Sequence, residues 1–309
     1  MDAMHVSVLP AEAVAFLQPR AGQRYLDGTL GGGGHTEQIL MASSPDGQVL
    51  GLDWDDMALE AAQQRLAQFG ERLIVRRASY ATARPILAEI GWGSVQGVIL
   101  DLGLSSFQLN AAERGFSFQS TARLDMRMDR RQTLDAYEIV NRYASAQLEE
   151  LLRRHGEEPQ ARRLAKAIVD ERARRPIETT TDLAQLITRI KGRGARGHHP
   201  ATQTFQALRI AVNSELQQLE TFLEDGFELL EPSGRMVIIS FHSLEDRLVK
   251  NAFRKWSAFC ICPPRTPVCR CGWSQKTKLL TRKPVTAGDA EIRANPRSRS
   301  ARLRAVERV

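Results

Sequence analysis

The feature that most constrains this chain is the turn Asp27-Gly28-Thr29-Leu30-Gly31-Gly32-Gly33-Gly34-His35-Thr36. A short apolar run, Tyr25-Leu26, leads into it, and a helical pattern from His35 to Met41 follows. Four successive glycines between a strand and a helix let the backbone approach a ligand with no Cβ in the way. The N–H groups that open the helix then favour an anionic group. The turn reads as a cradle for a nucleotide-type cofactor, with a merely flexible glycine loop as the competing reading.

What surrounds the turn narrows the fold. Strand patterns at Arg24–Leu26, Gln48–Leu52, Leu73–Arg76 and Val95–Leu100 alternate with helical periodicity at His35–Met41, Met57–Phe69 and Thr82–Ile90. This rhythm predicts an α/β fold, a parallel sheet with helices on both faces. Such sheets bind ligands beyond the carboxyl ends of the strands, where the strand order reverses. The second strand ends at Asp53, 20 residues past Gly33, and an acid there suits ribose hydroxyls. The third ends near Ser79-Tyr80, where an aromatic ring suits an adenine, and the fourth runs into Asp101-Leu102-Gly103-Leu104-Ser105-Ser106.

The rhythm then breaks. From about Phe107 to Pro200 the chain is charge-rich and helical, with amphipathic patterns at Gln147–His155, Gln160–Arg172 and Thr181–Ile190 and cap candidates in Thr179-Thr180-Thr181-Asp182. It resumes with a long helix over Phe205–Leu230, broken near Asp225-Gly226. A turn at Pro232-Ser233-Gly234, a strand Arg235–Phe241 and a helix Leu244–Trp256 follow, with closing strands at Lys278–Leu280 and Ala301–Val306. His5 to Glu12 reads as a short lead-in. The expected organisation is a discontinuous α/β domain, 1–106 and 205–309, around an inserted all-helical domain, 107–204.

Charge and cysteine placement exclude several classes. No apolar run is long enough to span a membrane, and Met1 to Pro19 shows no secretory pattern. All four cysteines fall between Cys260 and Cys271, which does not suit a disulfide scaffold and points to the cytoplasm. From Lys276 to Val309 there are ten Lys/Arg against three acids, so the net charge of +7 resides in that tail. A basic segment beside a cofactor fold predicts a polyanionic partner such as RNA or DNA, against the alternative of a solubilising tail.

The motif at the turn selects among nucleotide cofactors. The dinucleotide fingerprint fails because its third glycine falls on Thr36, and no Lys-Ser/Thr pair completes a P-loop. Acid-x-Thr-x-Gly-x-Gly from Asp27 to Gly33, with Asp53 downstream, suits a ligand carrying an amino-acid carboxylate and a ribose but no phosphate. That ligand is S-adenosylmethionine. Gly33, Gly34 and the amide of His35 approach its methionine moiety, and Asp27 reaches the loop or the ligand ammonium.

At this level of detail the chain resembles the RsmH (MraW) family of small-subunit ribosomal RNA cytosine-N4 methyltransferases. The shared segments are His5-Val6-Ser7-Val8-Leu9 with Glu12, the Asp27–Thr36 turn, Asp101–Ser106 with Gln108-Leu109, and Glu113-Arg114-Gly115-Phe116-Ser117-Phe118. They continue with Leu124-Asp125-Met126-Arg127-Met128-Asp129, Gly156-Glu157-Glu158, His199 to Ile210, Ile239 to Arg247 and Asn295 to Ala301. The resemblance implies a class I S-adenosylmethionine-dependent methyltransferase fold, Rossmann-like with a mostly parallel seven-stranded sheet and an inserted helical domain. It implies a decoding-centre cytidine of 16S rRNA as acceptor, within the small ribosomal subunit, with no membrane and a homodimer allowed. Family cofactor contacts carry over to Gly33, Gly34, His35, Asp53, Asp101 and Gln108, and the aromatic contact to Tyr80, where Phe is commoner.

The amine of cytosine is a poor nucleophile because its lone pair is delocalised into the ring, so acceptors must hold its N–H groups while it attacks in line. Many amino methyltransferases use an Asp/Asn/Ser-Pro-Pro-aromatic turn for this, and here its place is taken by Asp101–Ser106. Asp101, Ser105 and His242 are the catalytic candidates, with Asp101 or a neighbouring carbonyl accepting from N4, or Asp101 serving mainly the cofactor. Phe116 and Phe118 are candidates to stack on an unstacked base, or are core of the insert. His242, Ser243 and Asp246, where the fifth strand ends, are candidates for substrate contacts, or Ser243 simply caps the following helix. Arg123, Arg127, Arg193, Arg196 and the tail arginines are candidates for phosphate contacts. Cys260-x-Cys262 and Cys269-x-Cys271 would suit a tetrahedral zinc, though the one-residue spacing is unusual; otherwise they are four reduced thiols. The competing functions are an RNA-binding module with a vestigial cofactor fold, a nicotinamide oxidoreductase, and a DNA N4/N6-amine methyltransferase.

Overall fold

The computed structural model describes residues 7–104, 108, 111–192, 199–263, 266 and 268–309. Ser105, Ser106, Leu109, Arg193 and Arg196 lie outside the described residues, as do His5 and Val6. The chain divides into two units, one formed by Met1–Gly103 and Leu216–Val309, the other by Leu104–Glu215.

The first unit is built on seven strands: β1 (Arg24–Asp27), β2 (Gln48–Asp53), β3 (Leu73–Arg77), β4 (Val95–Asp101), β5 (Leu230–Ser240), β6 (Thr277–Leu279) and β7 (Arg302–Arg308). Their order is β3-β2-β1-β4-β5-β7-β6. The first five run parallel, and β7 is antiparallel to both β5 and β6. The reversal of order lies between β1 and β4, whose ends, Asp27 and Asp101, therefore flank the crevice where such sheets take ligands.

Strand residues divide alternately between two cores, as a pleat of period two requires. Leu26, Leu50, Val98, Leu100, Met236 and Ile238 face one side, against Leu87, Leu219, Phe222, Phe253 and Trp256. Tyr25, Val49, Ile99, Val237 and Ile239 face the other, against Leu9, Leu17, Ile39 and Leu40. Burial on both faces explains why β4 reads as a nearly unbroken apolar run. Each such side chain contributes about 1.5–3 kcal/mol over exposure.

The structure departs from the sequence pattern in three places. Pro10–Leu17 is a helix, not a lead-in; its N-cap, Leu9, has no side-chain cap and a φ of 50°, and its start is marked by Pro10 at the first position and Glu12 in the first turn. Pro232-Ser233-Gly234 lies inside β5 as an irregularity where the pairing shifts from Val95↔Leu230 to Gly97↔Arg235, with Ser233 at φ 63°. The expected helix over Phe205–Leu230 is two helices, Thr202–Asn213 and Glu215–Asp225, because Ser214 closes the first in the left-handed region at φ 51°. A 3-10 turn, Gly226–Leu229, precedes β5.

The second unit contains the helices Ala136–Arg142, Ser145–Gly156, Ala161–Arg172, Thr180–Lys191 and Thr202–Asn213. Leu148/Leu152, Leu164/Ile168 and Leu183/Ile187 repeat at the four-residue spacing that puts them on one buried face of each helix. The threonine run does cap: Thr179 accepts from the Asp182 N–H, and Asp182 reaches back to the Thr179 N–H.

Candidate functional site at the strand ends

Hydrogen bonds pin the glycine turn at every step, so it is not a loose loop. The Gly28 N–H donates to Ile99 O (3.0 Å), the Leu30 N–H to Leu52 O (2.8 Å) and the Gly33 N–H to Leu30 O (2.8 Å). Gly33 takes a φ of 77°, and a Cβ there would lie 2.8 Å from Leu66 Cδ1. A Cβ on Gly34 would lie 2.1 Å from Ser7 Oγ. Glycine is therefore required at both positions by backbone angle or by close packing.

Three carboxylates converge on this turn, one from each of three strands. Asp27, 2% exposed, accepts from the Thr29 N–H (3.1 Å) and the Thr36 hydroxyl (2.7 Å), bracing the turn from beneath. Asp53 accepts the Gly31 N–H (2.8 Å) and the Asp55 N–H (3.0 Å). The Asp101 N–H donates to Thr29 Oγ1 (2.6 Å). Thr29, the threonine of the turn motif, thus links the first strand end to the fourth. Of the two roles open to Asp27, reach to the loop or to a ligand ammonium, the structure shows the first.

Asp27 and Asp53 are paired with neutral donors, and their electrostatics reflect it. Burial raises the pKa of Asp27 despite its hydrogen bond from Thr36. Burial pushes Asp53 up to about 6, against the opposing N–H groups of Asp55 and Gly31. His35, buried at the helix start, has Nε2 3.3 Å from Asp101 Oδ2. That contact is a charge contact without hydrogen-bond alignment, since both ring nitrogens lack a hydrogen-bond partner among the described residues. Burial opposes protonation of His35, but the adjacent Asp101 carboxylate outweighs it and holds the pKa above its ordinary value. Among the described residues, Asp101 Oδ1 is buried without a hydrogen-bond partner. An unpartnered buried carboxylate oxygen is costly and marks a functional-site candidate.

Tyr80 sits beside the same turn. A Cβ on Gly28 would come within 2.8 Å of Tyr80 Cβ, and the Tyr80 ring meets Phe222 edge-on at 5.6 Å. Gln108 is buried within the second unit. His242 N-caps the helix Ser243–Trp256: its Nδ1 accepts the Glu245 N–H at 3.4 Å, and its Nε2 lies 3.1 Å from Glu245 Oε1. Ser243 is the first helical residue, so the cap expected of it is supplied by His242 instead. Glu245 completes the box by accepting the N–H groups of Phe241 (2.9 Å) and His242 (3.3 Å).

In the second unit, Phe116 is 8% exposed and packs under the Arg114 guanidinium at 5.7 Å, a core position. Phe118 is half-buried, stacked on His199 at 4.4 Å and edge-on to Phe205 at 5.2 Å. Arg127 grips Asp125 through two hydrogen bonds of 2.7 and 2.8 Å and also donates to the carbonyls of Arg130 and Gln132, so it holds its own loop. Arg123 pairs with Asp135 at 2.8 Å. The end of the basic tail is the strand β7, which carries Arg302, Arg304 and Arg308. Arg304 and Arg302 pair with the buried Asp246 at 2.7 and 3.1 Å, and Arg308 donates to the carbonyls of Glu228 and Leu230. Those three arginines are structural cations, which the sequence could not reveal because their partners lie more than fifty residues away.

A family model for the MraW methylase family matches residues 2–309. The ribosomal RNA small subunit methyltransferase H of Oleidesulfovibrio alaskensis is 51% identical over 309 residues, covering 99% of this chain and 95% of its own length. The protein of the same name from Geotalea daltonii is 51% identical over 310 residues, covering 100% and 99%. That from Thermomicrobium roseum is 50% identical, covering 100% and 95%.

Proposed function

Since the chain belongs to the MraW methylase family, we propose that its strand-end carboxylates carry methyl transfer to the N4 amine of a cytidine in small-subunit ribosomal RNA. The chain is an S-adenosylmethionine-dependent methyltransferase of class I architecture, and the sheet order is on that pattern. The acceptor base is read from relatives named for small-subunit ribosomal RNA and from the resemblance of the motifs.

The residues fit the cofactor. Close packing against Leu66 and Ser7 fixes the turn at Gly33 and Gly34, and the N–H groups that open helix Gly34–Ala42 would hold the methionine carboxylate. Asp53 uses one lone pair per oxygen on backbone N–H groups and keeps others for the ribose hydroxyls. Tyr80 supplies the ring beside the adenine. When bound, S-adenosylmethionine supplies an electrophilic sulfonium methyl.

Asp101 does the work on the acceptor side. With His35 beside Oδ2, the Asp101 carboxylate would accept an N4–H, so that the nitrogen turns pyramidal and its lone pair is freed to attack. The proton lost from nitrogen leaves toward the same carboxylate. Holding both reactants in line lowers the barrier by up to ~7–11 kcal/mol, and a positioned proton acceptor adds roughly 10²–10⁴-fold. The single observation that carries this reading is the buried, unpartnered Asp101 Oδ1 beside the glycine turn.

The finer reading is a decoding-centre cytidine of 16S rRNA, presented on the small ribosomal subunit in the cytoplasm. Incubating small-subunit particles with labelled S-adenosylmethionine, followed by nucleoside mass spectrometry, tests it. The expected product is N4-methylcytidine at one decoding-centre position. Label in another nucleoside, or in DNA alone, would overturn the assignment.

A further inference from the structure

Four thiols meet at one point in the segment between helix Ser243–Trp256 and β6. Cys260 Sγ lies 3.4 Å from Cys269 Sγ and 3.7 Å from Cys271 Sγ. Cys269 Sγ is 3.5 Å from Cys271 Sγ and 3.9 Å from Cys262 Sγ. All four sulfur atoms fall within 4.8 Å of one another. A zinc ion bound tetrahedrally by thiolates at about 2.3 Å requires sulfur–sulfur edges of about 3.8 Å. The four recorded edges scatter around that value.

Burial does not explain this convergence. Cys260 and Cys269 are exposed and Cys262 and Cys271 only half-buried, with Phe259, Ile261 and Val268 exposed around them. No apolar core draws the sulfurs together, and free thiols attract one another weakly. Two backbone N–H groups, from Cys262 and Arg270, are aimed at Cys260 Sγ and Cys262 Sγ at 3.4 and 3.5 Å. Such donors stabilise thiolate charge in the outer shell of a metal site.

We propose that Cys260, Cys262, Cys269 and Cys271 form a structural zinc site that fastens the tip of this segment. Its base is already fastened by other means. The Lys276 N–H donates to Trp256 O at 2.8 Å, Trp273 Nε1 donates to Ala258 O at 3.1 Å, and the hydroxyls of Ser257 and Thr277 meet at 2.8 Å. Among the described residues, the bonds of the tip other than those to sulfur are local, the Thr266 N–H and hydroxyl donating to Pro263 O at 3.2 and 2.7 Å. Four protein ligands close the coordination shell, so the ion orders the chain and takes no part in methyl transfer. Binding exchanges thiol protons for the metal, so up to four protons are released per ion.

The test uses the full chain, purified from zinc-supplemented cells under reducing conditions. Elemental analysis finds one zinc ion per chain, and thiol titration finds the four cysteines masked until a chelator is added. Cys262→Ser and Cys269→Ser each weaken zinc retention by ~10–100-fold or more, since even outer-shell partners are worth that much. Replacing zinc by Co²⁺ in the wild-type chain gives the intense visible and near-ultraviolet absorption of a tetrahedral tetrathiolate, a readout that needs no variant. Four freely titratable thiols with no bound zinc and no such cobalt spectrum would overturn the proposal, as would two disulfides found by mass spectrometry in protein kept reduced.

Discussion

Two groups of buried carboxylates sit in the same α/β unit and are partnered in opposite ways. Asp246 is clasped by Arg304 and Arg302, and although burial pushes its pKa up, the two guanidinium groups outweigh burial and hold it below the usual value. Asp27 and Asp53 receive only N–H and hydroxyl donors, and burial wins, raising both. Asp101, beside them, keeps one buried oxygen with no hydrogen-bond partner among the described residues. The first arrangement fastens helix Ser243–Trp256 to β7. The second leaves charge and hydrogen-bonding capacity unspent at the end of a sheet, which is what a binding and catalytic site requires.

Removing members of each group should separate the two roles. The largest effect on stability is expected from Asp246→Ala, which strands the buried Arg304 without its partner and costs ~3–5 kcal/mol. Urea denaturation measures it, and the cofactor Kd of the folded fraction should be unchanged. Next is Thr36→Val, which deprives the buried Asp27 carboxylate of its hydroxyl donor at a cost of ~1.5–3 kcal/mol. Unlike Asp246→Ala, it should also weaken cofactor binding, because the turn that Asp27 braces is the cradle. A loss of stability with no change in Kd would place Asp27 with the structural group.

The smallest effects are in pH dependence, and they run in opposite directions. Asp53 has a folded pKa raised to about 6, so its ionisation costs stability; between the unfolded value near 3.8 and about pH 6, its contribution falls as pH rises. Asp246 has a lowered pKa, so its contribution is present above about 3.8 and is lost as pH falls through its folded value. Ribose hydroxyls donate to the ionised form of Asp53. Calorimetry should therefore show cofactor affinity falling by up to about tenfold per pH unit below pH 6. Asp53→Asn should bind more weakly at neutral pH and lose that dependence. A wild-type Kd flat from pH 5 to 7 would remove Asp53 from the ribose site.

How much of this was legible in the sequence follows from the range of the interactions. β1, β2 and β4, the glycine turn and the Thr179 cap are written in neighbouring residues, and the structure has them within one or two positions of expectation. Pro10 and Glu12 do mark the start of helix Pro10–Leu17, but eight residues with no side-chain cap make a weak pattern, and Ser214 gave no warning that it would take left-handed angles. At the site, the three acids stood out as strand-end residues. What the sequence lacked was who partners each charge. Arg302 and Arg304 looked like part of a basic tail until Asp246, 56 and 58 residues earlier, was seen between them. Arg127 looked like a phosphate ligand, but spends its guanidinium on Asp125 and two carbonyls. His242 looked catalytic, yet its Nδ1 is the cap of a helix.

The claim that the strand-end carboxylates are kept unspent for catalysis is tested most directly by Asp101→Ala. Single-turnover methyl transfer to small-subunit particles should fall by ~10²–10⁴-fold, while the denaturation midpoint changes far less than for Asp246→Ala, because only the 3.3 Å contact with His35 is lost along with an oxygen that has no partner among the described residues. Near-normal transfer, or a loss of stability as large as that of Asp246→Ala, would contradict the account.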